Sequence, residues 1–98
     1  MPTLWWSWSE FTLPDAAEDI GDVYSGIAQG LSAAGYTSVK VAEDVHGVKG
    51  DFIVAVIYLF ISNKNFWQVI ACGGDGSVAD AQAEVNEVQT IISQITYL

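Results

Sequence analysis

Hydrophobic and polar positions change period several times along the chain, and each change marks an element. Thr3 to Phe11, TLWWSWSEF, interleaves aromatic residues with serines and predicts a strand. TLPD follows, with Thr12 as N-cap, Pro14 in the first turn and Asp15 three residues after the threonine, which is a helix-start signature. Ile20, Val23, Ile27, Leu31 and Ala34 then recur every three or four residues, predicting a helix that ends at Gly35. Its interior glycines, Gly21, Gly26 and Gly30, each cost about 1 kcal/mol relative to alanine, so this helix must draw its stability from packing. Thr37 to Val45 alternates with period two and predicts a half-buried strand, and HGVKGD turns the chain through two glycines. Phe52 to Ile61, FIVAVIYLFI, predicts a central strand, SNKN a hairpin loop and FWQVIACGG the returning strand. From Ser77 to Thr96, a seam of Val78, Ala81, Val85, Val88, Ile92 and Ile95 predicts a second helix, too short in its repeat for a coiled coil and suited to packing on a sheet. The expected fold is α+β: a β-α-β-β-β-α two-layer sandwich, a mostly antiparallel four-stranded sheet with two helices on one face, forming a single domain over residues 1–98.

The sheet carries more apolar residues than two helices on one side can cover. If the SNKN hairpin closes with Ser62 opposite Asn65 and continues without irregularity, Phe52, Val54, Val56 and Tyr58 share a face with Phe60, Trp67, Val69 and Ala71 beneath the helices. The other face then holds Ala55, Ile57, Leu59, Ile61, Phe66, Gln68, Ile70 and Cys72, with Lys40, Asp44 and His46 at its margin. A sheet face turned to water is normally polar. Leaving Ile57, Leu59, Phe66 and Ile70 in water would forgo about 6 to 12 kcal/mol, comparable to the stability of a whole domain. Ile57, Leu59, Ile61, Phe66, Gln68 and Ile70 are therefore the expected interface or ligand face. Its simplest occupant is a second copy in a two-fold dimer, and a different protein or a small apolar ligand is the other possibility. Helices placed one on each side would leave nothing uncovered, and a slip of one residue would exchange the two faces. Adjacent Trp5 and Trp6 point to opposite faces of their strand, so at least one of them meets something other than the main core.

Composition narrows the range of functions. Of 98 residues 51% are hydrophobic and 15% charged, which gives a globular core rather than a disordered chain. The longest apolar run, Phe52 to Ile61, is half the length of about 20 residues that a membrane-spanning helix needs, and no signal-peptide pattern opens the chain. Twelve acidic residues stand against three lysines, Lys40, Lys49 and Lys64, for a net charge of -9 with no arginine. That balance lacks the basic footprint for nucleic acid and is repelled by an anionic membrane surface, so neither is an expected partner. A single cysteine, Cys72, forbids an intramolecular disulfide and makes the cytoplasm the expected compartment.

Candidate chemistry is sparse. Gly73, Gly74, Asp75, Gly76 and Ser77, lying between a strand and a helix, resemble the GGDGS signature of the diacylglycerol kinase and NAD kinase superfamily, where it helps to bind the nucleotide. The resemblance covers five residues. Ala79 and Asp80 stand where diacylglycerol kinases usually carry an Asn-Glu pair, and three strands in succession precede the motif where that family alternates strands and helices. Asp75 and Asp80 would repel a phosphate, and a sharp turn followed by a Ser77 cap accounts for the string without a ligand. Asp15, Glu18, Asp19 and Asp22 diverge from one helix face and cannot wrap a calcium ion. His46 and Cys72 share a face in the assumed pairing, but a buried strand cysteine and a turn histidine are the simpler reading, and zinc needs more ligands. No catalytic residue, metal ligand or cofactor is assigned. The expected function is a non-catalytic dimerising module that binds a partner protein or small apolar ligand through its sheet face. Two alternatives stand beside it: a small enzyme using Lys40, Asp44, His46 or Gln68 in a dimer-interface cleft, and an acidic decoy of a basic protein.

Overall fold

The computed structural model describes residues 2–97 as strand β1 (Pro2–Thr12), helix α1 (Ile20–Ala33), strands β2 (Thr37–Val41), β3 (Val45–Lys49), β4 (Phe52–Ser62) and β5 (Asn65–Asp75), and helix α2 (Val78–Ser93). The strands form one sheet in the order β1-β5-β4-β3-β2, and every neighbouring pair is antiparallel. The fold is α+β, with five strands where the sequence pattern suggested four.

The added strand comes from HGVKGD. Val45 to Lys49 pairs with β4, from Val45 opposite Val56 to Lys49 opposite Phe52, and the turn lies at Gly50 and Asp51, with Gly50 at φ +61°. Gly47 resembled a turn residue but sits in β3. A Cβ there would lie 3.2 Å from Val39 and 3.3 Å from Tyr36, so the glycine lets the chain ahead of β2 cross close over the strand. The predicted strand Thr37 to Val45 is accordingly broken at Ala42, Glu43 and Asp44.

Helix α1 starts later than the TLPD signature implied. Thr12 remains in β1 opposite Asn65 and donates its hydroxyl hydrogen to the Asn65 Oδ1 at 3.2 Å. Pro14 and Asp15 fall in the turn that follows, and Asp19 is the cap, its carboxylate accepting from the backbone N–H groups of Gly21 and Asp22. Pairing with β5 along the full length of β1 outweighs one capping interaction, so the strand keeps the threonine. At α2 the expected cap is found, with Ser77 accepting from the Asp80 N–H at 3.1 Å.

Both helices pack on one face. Val23, Ile27 and Leu31 of α1 and Ala81, Val85 and Val88 of α2 form one core with Val45, Val54, Val56, Ile70 and Cys72 of the sheet. The α1 glycines explain themselves in the contact between the helices. A Cβ on Gly26 would lie 2.9 Å from Ile95, and one on Gly30 would lie 2.6 Å from Ile91, so the helix gives up propensity to admit the isoleucines that follow and end α2.

The pairing of β4 with β5 overturns the assumed faces. Ser62 does pair with Asn65, but Phe60 pairs with Phe66, so Ile61 is an extra residue and every later pair is displaced by one. Phe66, Gln68, Ile70 and Cys72 therefore turn toward the helices, while Trp67, Val69 and Ala71 join Ile57 and Leu59 on the other side. Both parities of FWQVIAC are apolar, so the alternation could not choose between them. The register that forms satisfies the one polar member: Gln68 accepts from the Tyr58 hydroxyl at 2.6 Å and faces Ser9 of β1.

This register makes adjacent residues respond oppositely to the same change. Ile70→Asp places an unpaired carboxylate at a site 1% exposed and should cost at least ~3 kcal/mol, lowering the urea midpoint of unfolding by about 1 M or more. Val69→Asp, on the uncovered face, should leave the monomer fold and its circular dichroism native.

Candidate functional site

Helices α1 and α2 cover one side of the sheet and leave the other bare, and the bare side is where the large apolar side chains gather. From β1 it receives Leu4, Trp6 and Trp8, which are 64%, 56% and 60% exposed. From β4 come Ile53 and Leu59, both more than half exposed, with Ile57 between them. Cross-strand rows show how the face is assembled. Trp8, Val69 and Ile57 stand side by side across β1, β5 and β4. One row along, Trp6, Ala71, Ala55, His46 and Lys40 cross the whole sheet from one edge to the other. The two alanines make a low saddle between tryptophan at one edge and polar groups at the other.

Trp8 meets Trp67 edge to face, with ring centroids 5.2 Å apart. Together with Trp6, Leu59 and Val69 they line a shallow recess of about 300 Å³ that no polar side chain enters. Unbroken alternation would place Trp67 in the core, but the bulge at Ile61 brings it out beside the β1 tryptophans. Trp5 takes the opposite side of β1 and packs on the helix-covered core.

Of the six residues expected on this face, Ile57 and Leu59 lie on it and Ile61 is exposed at the bulge that borders it. Phe66, Gln68 and Ile70 do not. Phe66 packs against Tyr58 beneath the helices, and Gln68 and Ile70 are buried there.

The polar margin contains Lys40, Asp44 and His46, with the His46 Nδ1 3.1 Å from the Asp44 carboxylate. Gln68 is separated from them by the thickness of the sheet, so the four polar groups considered together as an enzyme's site do not converge. The Cys72 and His46 pairing fails for the same reason. Cys72 is fully buried opposite Val54 on the helix side, and burial, reinforced by the charge of Glu84, pushes its thiol up to about 11.

The acidic residues near α1 have local structural partners. Asp19 caps the helix, Asp22 accepts from the Glu18 N–H at 2.7 Å and Asp15 pairs with Lys64 at 3.1 Å. Among the described residues no group of three or more His, Cys, Asp or Glu side chains is placed to hold a metal ion, and no helix is long and apolar enough to cross a membrane.

The glycine string is taken up by packing. Gly73, Gly74 and Asp75 end β5, and the Asp75 N–H donates to the Asp51 carbonyl at 3.2 Å. Gly74, at φ +154°, lies against that carbonyl so closely that a Cβ would overlap it, and a Cβ on Gly76 would overlap the Phe52 ring. The Gly76 carbonyl accepts from the Thr3 hydroxyl at 2.8 Å.

No protein-family model matches the chain, and no curated protein matches its sequence.

Gly74→Ala should destabilise the fold by about 3 kcal/mol in denaturant titrations, because the obstacle is backbone and cannot yield as a side chain would. Cys72 should resist iodoacetamide at neutral pH until the protein unfolds. Its thiol stays protonated in the folded state above the ordinary value of 9.0, so the unfolded state releases its proton first and stability falls as pH rises from 9.0 to about 11. Cys72→Ala should remove that part of the alkaline loss and leave the part at higher pH that arises from buried Tyr36 and Tyr58, whose hydroxyls are also pushed up by burial.

Proposed function

We propose that this protein is a non-catalytic dimerising module whose uncovered sheet face is its binding surface, with a second copy packed against it face to face. The observation that carries the reading is the exposure of Leu4, Trp6, Trp8, Ile53 and Leu59 together on one side of one sheet. Burying each such side chain is worth about 1.5 to 3 kcal/mol, so the set supplies enough free energy to offset the several kcal/mol lost when two molecules become one. A contiguous apolar surface rimmed by polar groups is the common form of a protein interface, and tryptophan is the residue most enriched at its energetic centre. The rim here is Lys40, Asp44 and His46 on one side and Glu10 on the other.

The same chemistry supports a different protein or a small apolar ligand as the occupant, and the oligomeric state distinguishes them. Light scattering should give a solution mass that Leu59→Asp and Trp8→Asp each halve, with helix content retained and tryptophan emission shifted to the red. A wild-type protein that stays monomeric at every accessible concentration, with tryptophan emission already that of indole in water, rules out the self-association reading.

A further inference from the structure

The two edges of the sheet are built differently. Strand β2, at one edge, is five residues long, its pairing is irregular between Thr37 and Lys40, Ser38 there has φ +52°, and it carries Lys40. A short, kinked, lysine-bearing strand is how proteins keep an edge from pairing with another chain. Strand β1, at the other edge, has none of these features. It runs eleven residues, pairs one to one with β5 from Pro2 to Thr12 without irregularity, has no basic residue, and has proline only at its first position. Its outer edge has no backbone partner among the described residues.

We infer that β1 pairs antiparallel with β1 of a second copy, joining two sheets edge to edge through a surface distinct from the face proposed above. The direction of the free groups follows from one hydrogen bond. Leu13 donates its N–H to the Lys64 carbonyl at 2.7 Å, toward the β4–β5 hairpin. Because the N–H and C=O of one strand residue point to the same side and alternate along the strand, Thr3, Trp5, Ser7, Ser9 and Phe11 also face β5. Leu4, Trp6, Trp8 and Glu10 therefore present theirs outward. A two-fold axis at Ser7, the midpoint of β1, aligns the strands over their whole length and pairs Leu4 with Glu10, and Trp6 with Trp8, of the second copy.

Charge favours this register. Glu10 is the only charged residue of β1, and in this register it lies opposite a leucine, with the two glutamates about 20 Å apart along the strands. That distance is roughly twice the screening length at physiological salt, so they do not oppose the contact. Helix α2 contributes no charge on this flank either. Gln89 donates to the Ser7 hydroxyl at 2.9 Å, and Gln82, Asn86 and Ser93 share its stripe, whereas Glu87 pairs with Lys49 and Glu84 accepts from Tyr36 on the far side of the helix. In a chain of net charge -9, the flank that meets its copy is nearly neutral. Pairing would also place Trp6 beside Trp8 of the second copy, extending the tryptophan surface across a continuous sheet.

Amide hydrogen exchange by NMR tests this directly on the wild-type protein. The outward amides of Leu4, Trp6, Trp8 and Glu10 should be protected along with the inward amides of Trp5, Ser7 and Ser9. Glu10→Pro removes an outward N–H without touching the β1–β5 ladder, and should halve the mass and free Leu4, Trp6 and Trp8 while the inward amides stay protected. Glu10→Gln should change neither. Leu59→Asp, which breaks only the face contact, should leave the outward amides protected, so the two contacts can fail separately. Outward amides that exchange freely beside protected inward ones, or a folded Glu10→Pro variant of unchanged mass, would overturn the inference.

Discussion

One extra residue in β4 fixes which side chains this protein hides and which it shows. With Ile61 unpaired, β5 moves one position against β4, and a strand of period two responds to that by exchanging its faces entirely. Phe66, Gln68, Ile70 and Cys72 go beneath the helices, and Trp67, Val69 and Ala71 go out. Strand β1 then follows β5, because its partners are already set: Trp6 and Trp8 stand beside Ala71 and Val69, and Ser7 and Ser9 stand beside Ile70 and Gln68. Small serines beneath α2 allow the helix to lie close to the sheet, and Gln89 completes that contact with Ser7. The tryptophans are thus exposed as a consequence of a bulge at the other end of a neighbouring hairpin.

The covered side shows how a chain with few charges and many glycines holds together. The glycines of α1 give up helix propensity and in return admit Ile91 and Ile95 between the helices. Glu84 and Glu87 of α2 turn to Tyr36 and Lys49, and the Lys49 ammonium also lies over the Tyr36 ring at 5.1 Å from its centroid. Tyr58 and Gln68 satisfy one another, and Tyr24 donates to the Glu43 carbonyl at 3.1 Å, whereas the buried Tyr97 hydroxyl has no hydrogen-bond partner.

The two proposed contact surfaces differ in kind. The uncovered face offers apolar area with little direction, while the β1 edge offers aligned donors and acceptors with a defined register. A contact through the first gains mainly by removing water from indole and leucine, and one through the second gains its specificity from backbone geometry. The first would use side chains that stand above the sheet, the second the backbone N–H and C=O groups that lie in its plane.

Much of this was legible in the residues themselves. The seam of α2 from Ala81 to Ile92, its Ser77 cap, the central apolar strand and the surplus of apolar residues over what two helices cover all follow from periodicity and size, which are local properties, although the helix ends at Ser93, short of the predicted Thr96, and Val78 at its start is exposed. Three features were not. Asp19 rather than Thr12 caps α1, because the threonine was claimed by pairing with a residue more than fifty positions away. Gly47 lies within a strand, because its lack of a side chain serves a chain crossing over it rather than a turn. The facing of FWQVIAC was open, because both of its parities are apolar and a bulge leaves no mark on alternation. The sequence by itself determined that the sheet would carry more apolar residues than two helices on one side can cover. Which residues occupy that face was decided only when β1, β4 and β5 came together, since a strand's orientation is a property of its pairing and not of its composition.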